Sequence, residues 1–134
     1  MLYEDDIIQI QLDKSASFLQ LVFLQTPDTS HFRNGYRLAI DLAMSKDVLY
    51  WVTDARKIKV MQPENQVWLK QAMAPALASH IRRFAIVMAP ECFVMTSPNK
   101  VYEKPPQETA PSPSGLIKVH FEQEAAYDWV FSAL

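Results

Sequence analysis

Two short apolar runs constrain this chain most, Val48-Leu49-Tyr50-Trp51-Val52-Thr53 and Arg83-Phe84-Ala85-Ile86-Val87-Met88. Both are rich in β-branched and aromatic residues and almost lack polar positions, the pattern of a central strand covered on both faces. Such a strand needs helices to cover it, and the flanking sequence supplies them. Before the first run, Thr26, Pro27, Asp28, Thr29 and Ser30 are turn and cap formers. Phe32, Tyr36, Ala39, Ile40 and Ala43 then recur at helical spacing, predicting a helix to about Lys46. Gly35 inside that helix costs about 1 kcal/mol relative to alanine, so its place there points to a close helix-to-sheet contact. Between the two runs, Gln62, Pro63 and Glu64 open a second helix, with Trp68, Ala72, Ala76 and His80 as its expected apolar stripe. Pro75 should kink or interrupt this helix unless its surroundings absorb it.

Upstream, Ile8, Ile10 and Leu12 alternate with Gln9 and Gln11, the period of a strand with one wet face. Lys14 to Ser17 read as a turn and Phe18 to Phe23 as a second strand, together a hairpin. Downstream of Met88, Ala89, Pro90 and Glu91 start a shorter helical segment carrying Cys92. Residues 103–115, with Pro105, Pro106, Pro111 and Pro113, read as an exposed loop. Leu116 to Phe121 resume as a strand, and Glu122 leads a last helix with Ala126, Trp129, Val130 and Ala133 on one face. The order β-β-α-β-α-β-α-β-α predicts one α/β domain over 1–134, a mixed sheet of about five strands, largely parallel after the opening hairpin.

Composition narrows the function classes. With a net charge of −2, the chain lacks the excess of Lys and Arg that phosphate binding draws on, so nucleic acid is not an expected partner. The charge is unevenly spread. Glu4, Asp5, Asp6 and Asp13 crowd the start, whereas Arg56, Lys57, Lys59, Lys70, Arg82 and Arg83 dominate the middle. The acidic start is the reverse of a secretory leader, the single cysteine cannot form an intrachain disulfide, and no apolar run approaches the roughly 20 residues of a membrane helix. A cytoplasmic protein without an integral membrane segment is expected.

Motifs for chemistry are sparse. Gly35 and Gly115 are the only glycines, and no Walker, G-x-G-x-x-G or G-x-S-x-G pattern occurs. His31, His80 and His120 lack metal-ligand spacing, and neither a metal nor another cofactor is expected. Cys92 lies in apolar company, which favours an inert core thiol over a nucleophile. Trp51, Trp68 and Trp129 sit at core-facing positions, which favours packing over a stacking platform. The best candidate ligand site is the loop holding Asp54, Arg56 and Lys57, because open α/β sheets bind ligands beyond the carboxyl ends of their strands. The competing structural reading pairs Asp54 with a nearby base to fix the loop.

Five segments carry a resemblance. They are Phe32 to Leu42, the strand-to-loop run Tyr50-Trp51-Val52-Thr53-Asp54-Ala55-Arg56, the helix opening Pro63-Glu64-Asn65-Gln66-Val67-Trp68, the strand Phe84 to Met88 and the closing Phe121 to Trp129. As a set they resemble the SpoIIAA-like branch of the STAS domains, in particular small stand-alone bacterial proteins of the Bacteroidetes type. That resemblance implies the fold of anti-sigma-factor antagonists, which bind a kinase and are switched by phosphorylation of a serine after a central strand. The matching loop here, Asp54 to Gln62, has no serine, and Thr53 is its only nearby hydroxyl. Other relatives are similar to CRAL-TRIO lipid carriers, whose apolar cavity is larger than a chain of this length is expected to enclose.

The expected function is therefore a non-enzymatic interaction module that regulates a protein partner. Its acidic start and basic middle suggest a homodimer. The alternatives are a binder of a small anionic molecule or lipid near Asp54 and Arg56 and, further off, a hydrolase built on Cys92.

Overall fold

The computed structural model describes residues 2–60, 62–90 and 117–132. Among these, six strands form one mixed sheet and three helices pack on it. The strands are β1 (Tyr3–Glu4), β2 (Ile8–Asp13), β3 (Phe18–Phe23), β4 (Tyr50–Ala55), β5 (Arg83–Met88) and β6 (Ile117–His120); the helices are α1 (Thr29–Ser45), α2 (Pro63–Ser79) and α3 (Gln123–Phe131). The strands lie side by side in chain order. β1, β2 and β3 are antiparallel neighbours, while β3, β4, β5 and β6 run parallel.

The period of two along β4 and β5 divides the core. Trp51, Phe84, Ile86 and Met88 face one side with Leu19, Leu21 and Phe23 of β3, where Phe32, Tyr36, Ala39 and Ala43 of α1 and Leu69 and Met73 of α2 cover them. Tyr50, Val52, Ala85 and Val87 face the other side and meet Ala126 and Val130 of α3. Sequential parallel strands joined by crossovers of one hand bring α1 and α2 to the same face. The nine-residue α3 is left to cover the opposite face of β4 and β5.

Buried polar atoms on the larger side converge on Thr53. Its hydroxyl oxygen accepts from the Trp51 indole at 2.8 Å and from the Tyr36 hydroxyl at 3.1 Å. Trp51 and Tyr36 stack at 6.2 Å between ring centroids, and Phe84 meets Trp51 edge-on at 5.4 Å. Thr53, completely buried, is a packing residue.

Several expectations need adjustment. The two-residue β1 is too short for any alternation to show; it pairs Tyr3 with Ile10 and Glu4 with Gln9, which makes six strands instead of about five. β4 starts two residues later than its apolar run, the Val48 amide being taken by the Ala43 carbonyl at the end of α1, and continues through Asp54 to Ala55. The buried side of α2 is Asn65, Gln66, Leu69, Met73, Ala76 and Leu77, with Trp68, Ala72 and His80 only half-buried. Two buried amides at its start disguise the period. α2 runs unbroken through Pro75, which is exposed near the helix end, where one lost backbone bond is tolerated. Gly35 does mark a close approach, since a β-carbon there would stand 3.2 Å from Ile8 Cγ2. The helical segment carrying Cys92 and the proline-rich 103–115 lie outside the described residues.

Candidate functional site

The carboxyl ends of β3 and β4 open onto the starts of α1 and α2. Pro27 leads the chain out of β3 into Asp28, whose carboxylate caps α1 by accepting the His31 amide and contacts the His31 ring, both at 2.8 Å. These contacts hold the Asp28 carboxyl below its ordinary pKa. Beyond β4, Ile58 turns inward and is buried, its amide bonded to the Ala55 carbonyl at 3.1 Å. Thr26 clamps the two loops together. Its hydroxyl donates to the Lys57 carbonyl at 2.9 Å and accepts from the Lys59 amide at 3.1 Å.

Between these loops lies an open depression of about 790 Å³. Phe32, Ile58 and Asn65, all buried, lie deepest, and the exposed Leu24 and Val60 add apolar wall. Asn65 is held in place, because its oxygen accepts from the Arg33 guanidinium at 3.1 Å. Lys57, Lys59 and Asp28 are the charged residues of its lining. The acidic start of the chain reaches the same end of the sheet, since the Gln25 amide donates to the Asp6 carbonyl at 2.9 Å. Partial burial pushes the neighbouring Asp5 carboxyl up, but the Ile8 amide, the Tyr3 hydroxyl and the Ile7 amide outweigh it and hold that group below the usual range.

Of the three residues expected to bind ligand, the structure brings two into direct contact. Arg56 makes a two-pronged pair with Asp54, Nε to Oδ1 at 2.9 Å and Nη2 to Oδ2 at 2.6 Å, and Nη2 also reaches Gln123 Oε1 of α3 at 3.0 Å. Gln123 in turn donates to the Tyr127 hydroxyl. The hydrogen-bonded Asp54 carboxylate raises the already high pKa of the guanidinium. Most of Arg56's bonding capacity is thus spent within the chain. Lys57 lies on the ridge between the main depression and a smaller one of about 400 Å³ that Asp54, Arg56 and Val22 help to line.

Sequence reasoning passed over Thr26, Lys59, Leu24 and Val60 as site residues. Thr26 had been visible only as a turn former, and no local signal reveals a bond to residues more than thirty positions away. The histidines stand on separate elements. His31 is in the first turn of α1, His80 caps the end of α2, and His120 ends β6 with its ring 5.7 Å from that of Trp129. No three His, Cys, Asp or Glu side chains converge as a metal site among the described residues.

No protein-family model, curated protein or solved structure matches the chain. No helix among the described residues is long and apolar enough to cross a membrane. The depression offers two primary amines, an ionised carboxylate and an apolar wall, with the Thr26 hydroxyl already bonded to backbone. Such a surface favours recognition through charge and apolar contact.

Proposed function

We propose that this chain is a non-enzymatic, SpoIIAA/STAS-like interaction module of the cytoplasm that regulates a protein partner through the carboxyl ends of β3 and β4. The observation that carries the reading is the pairing of Leu24 and Val60, 36% and 41% exposed, with Lys57 and Lys59 around one depression whose loops Thr26 holds in place. Exposed apolar side chains ringed by charge are a common composition for a docking surface on a small domain. The matching partner segment presents an apolar side chain flanked by acidic residues. A domain with the STAS-like order of hairpin and β-α units is a scaffold for such exchange, and the missing serine leaves docking without a phosphoserine switch.

The test compares the tagged full chain with Val60→Asp and Val67→Asp, each expressed in its native host, by quantitative mass spectrometry of co-purifying proteins. Val67 is 53% exposed on α2 and lies outside the depression. A partner kept by wild type and Val67→Asp but lost with Val60→Asp supports the reading. Indistinguishable partner sets for all three contradict it.

A second reading, a small anionic molecule held in the same depression, is favoured by α1 and α2 both starting at its edge, where helix N-termini attract negative charge. Native mass spectrometry distinguishes it through a stoichiometric small-mass adduct that Lys57→Ala and Lys59→Ala remove.

A further inference from the structure

Resting on the docking reading above, we propose that Arg33 and Arg37, held over Trp68 beside the depression, bind the phosphate of a phosphorylated residue in the segment that docks there. The two arginines stand one turn apart on α1 and place their guanidinium carbons 5.6 and 5.3 Å from the centre of one indole on α2. Trp68 is half-buried and meets the buried Phe32 edge-on at 6.2 Å, which fixes the ring that both cations share. Their hydrogen-bond partners are neutral amides. Arg33 Nε donates to Asn65 Oδ1 and Arg37 Nη1 to Asn34 Oδ1, both at 3.1 Å. Neither guanidinium forms an ion pair among the described residues. Glu64, one turn before Trp68, and Asp41, one turn after Arg37, are exposed and pair with neither.

Two like charges held over one ring repel, and an oxyanion shared by both removes that repulsion while accepting from both. A carboxylate has one charge and two oxygens, enough for a single guanidinium fork. A phosphate monoester has about two charges and three acceptor oxygens, enough for two. The cluster is continuous with the depression through two residues. Phe32 touches Trp68 and lines the depression, and Asn65 holds Arg33 and lines it too. An occupant that reaches both places needs an apolar group for Leu24 and Val60 and a phosphate beyond it. An extended peptide supplies this, because each residue advances the chain by roughly 3.3 Å and side chains project along its length. The apolar wall then gives the segment its hold, and the arginine pair makes that hold depend on phosphorylation.

The experiment measures retention of a degenerate peptide pool, built around a central phosphoserine, by the immobilised full chain. The same pool built around serine is the reference, and mass spectrometry reads both. Wild type should retain the phosphorylated pool over its serine counterpart by at least about tenfold, the ratio expected when a charged acceptor gains good donors. Arg37→Gln should remove most of that preference, and Arg37→Lys should restore only part of it, because an ammonium cannot give the phosphate two parallel donors. Arg37 is exposed, and unchanged circular dichroism confirms that its variants fold. Lys70→Gln, exposed on α2 and outside the cluster, should leave the preference as it is. Equal retention of the two pools by wild type overturns the proposal, as does a preference that survives Arg37→Gln. So does an equal loss with Lys70→Gln, which would mean general attraction to positive charge. Complete displacement by an equal concentration of inorganic phosphate would assign the cluster to the free ion and overturn the peptide. The docking face is scored separately, by enrichment of apolar residues near the phosphoserine that Val60→Asp abolishes. Phosphate preference without that enrichment identifies failure of the docking reading, and the enrichment without phosphate preference identifies failure of this inference.

Discussion

Arg56 grips Asp54 with two donors, at 2.9 and 2.6 Å, two residues beyond it at the end of β4. The Asp54 side chain is only 12% exposed and the Arg56 side chain 47%, so the pair sits at the boundary between surface and core. Its position also ties the loop after β4 to α3 through Gln123.

Replacing Arg56 with alanine leaves a mostly buried carboxylate short of partners. The expected loss of stability is about 1–2 kcal/mol, above that of an exposed pair and below that of a fully buried one. Arg56→Lys should recover only part of it, because an ammonium cannot match both carboxylate oxygens with a planar fork. Urea denaturation of the three proteins checks the order. Equal stability of wild type and Arg56→Ala would show that the pair holds nothing together.

Thr53 carries a larger share of the core. Thr53→Val keeps the shape but removes the acceptor shared by the Trp51 indole and the Tyr36 hydroxyl, stranding two buried donors. A loss of about 2–4 kcal/mol is expected from the desolvation of both groups, and Thr53→Ser should retain most of the stability. Denaturant midpoints for the two variants decide whether the hydroxyl or the methyl group matters.

Gly35 and Ile8 are coupled by distance. Alanine in place of a mid-helix glycine ordinarily stabilises by about 1 kcal/mol. At Gly35 the new carbon would press on Ile8 Cγ2 at 3.2 Å and Cδ1 at 3.4 Å, and the gain should vanish or reverse. In an Ile8→Ala background the same substitution should stabilise. A double-mutant cycle measured by thermal unfolding reads this coupling directly.

His120 gives the fold a dependence on pH. Burial, with Lys118 nearby, holds its imidazole below the ordinary value, and among the described residues Nε2 has no hydrogen-bond partner. The unfolded chain takes up this proton at about pH 6.5 while the folded chain still resists it, so stability rises with pH across that interval. This contribution is fully present above about pH 6.5 and is lost as pH falls through the lower folded pKa. Asp28 and Asp13, both held low by hydrogen bonds, act in a separate window, losing their contributions only as pH falls below about 4. His120→Phe should therefore flatten the pH dependence of unfolding in the interval from about pH 6.5 down to the lower folded pKa. An unaltered profile in that interval would rule His120 out as its source.

How much of this could be read beforehand differs by element. Arg83–Met88 and Phe18–Phe23 were legible to the residue as apolar runs, and the alternation from Ile7 to Leu12 located β2 within one residue at each end, because burial on two faces and on one face leave different periods. The α2 stripe was misread because Asn65 and Gln66 are buried amides and apolar periodicity does not count them. Tyr3–Glu4 was invisible because two residues carry no period. At the site, the pairing of Asp54 with a nearby base was legible as the structural reading of that loop; the structure identifies the base as Arg56 and adds its link to α3. The Thr26 clamp and the gathering of Leu24, Lys59 and Val60 were not legible, since they depend on loops that meet only after β3 and β4 pair.

The docking face is tested most directly by placing a photo-activatable residue at position 60 of the full chain in its native host, with position 67 as the control. Irradiation should link position 60 to a protein, whether a partner or a second copy of this chain, and leave position 67 unlinked. No adduct from position 60, or equal adducts from both positions, would contradict the assignment of recognition to the carboxyl ends of β3 and β4.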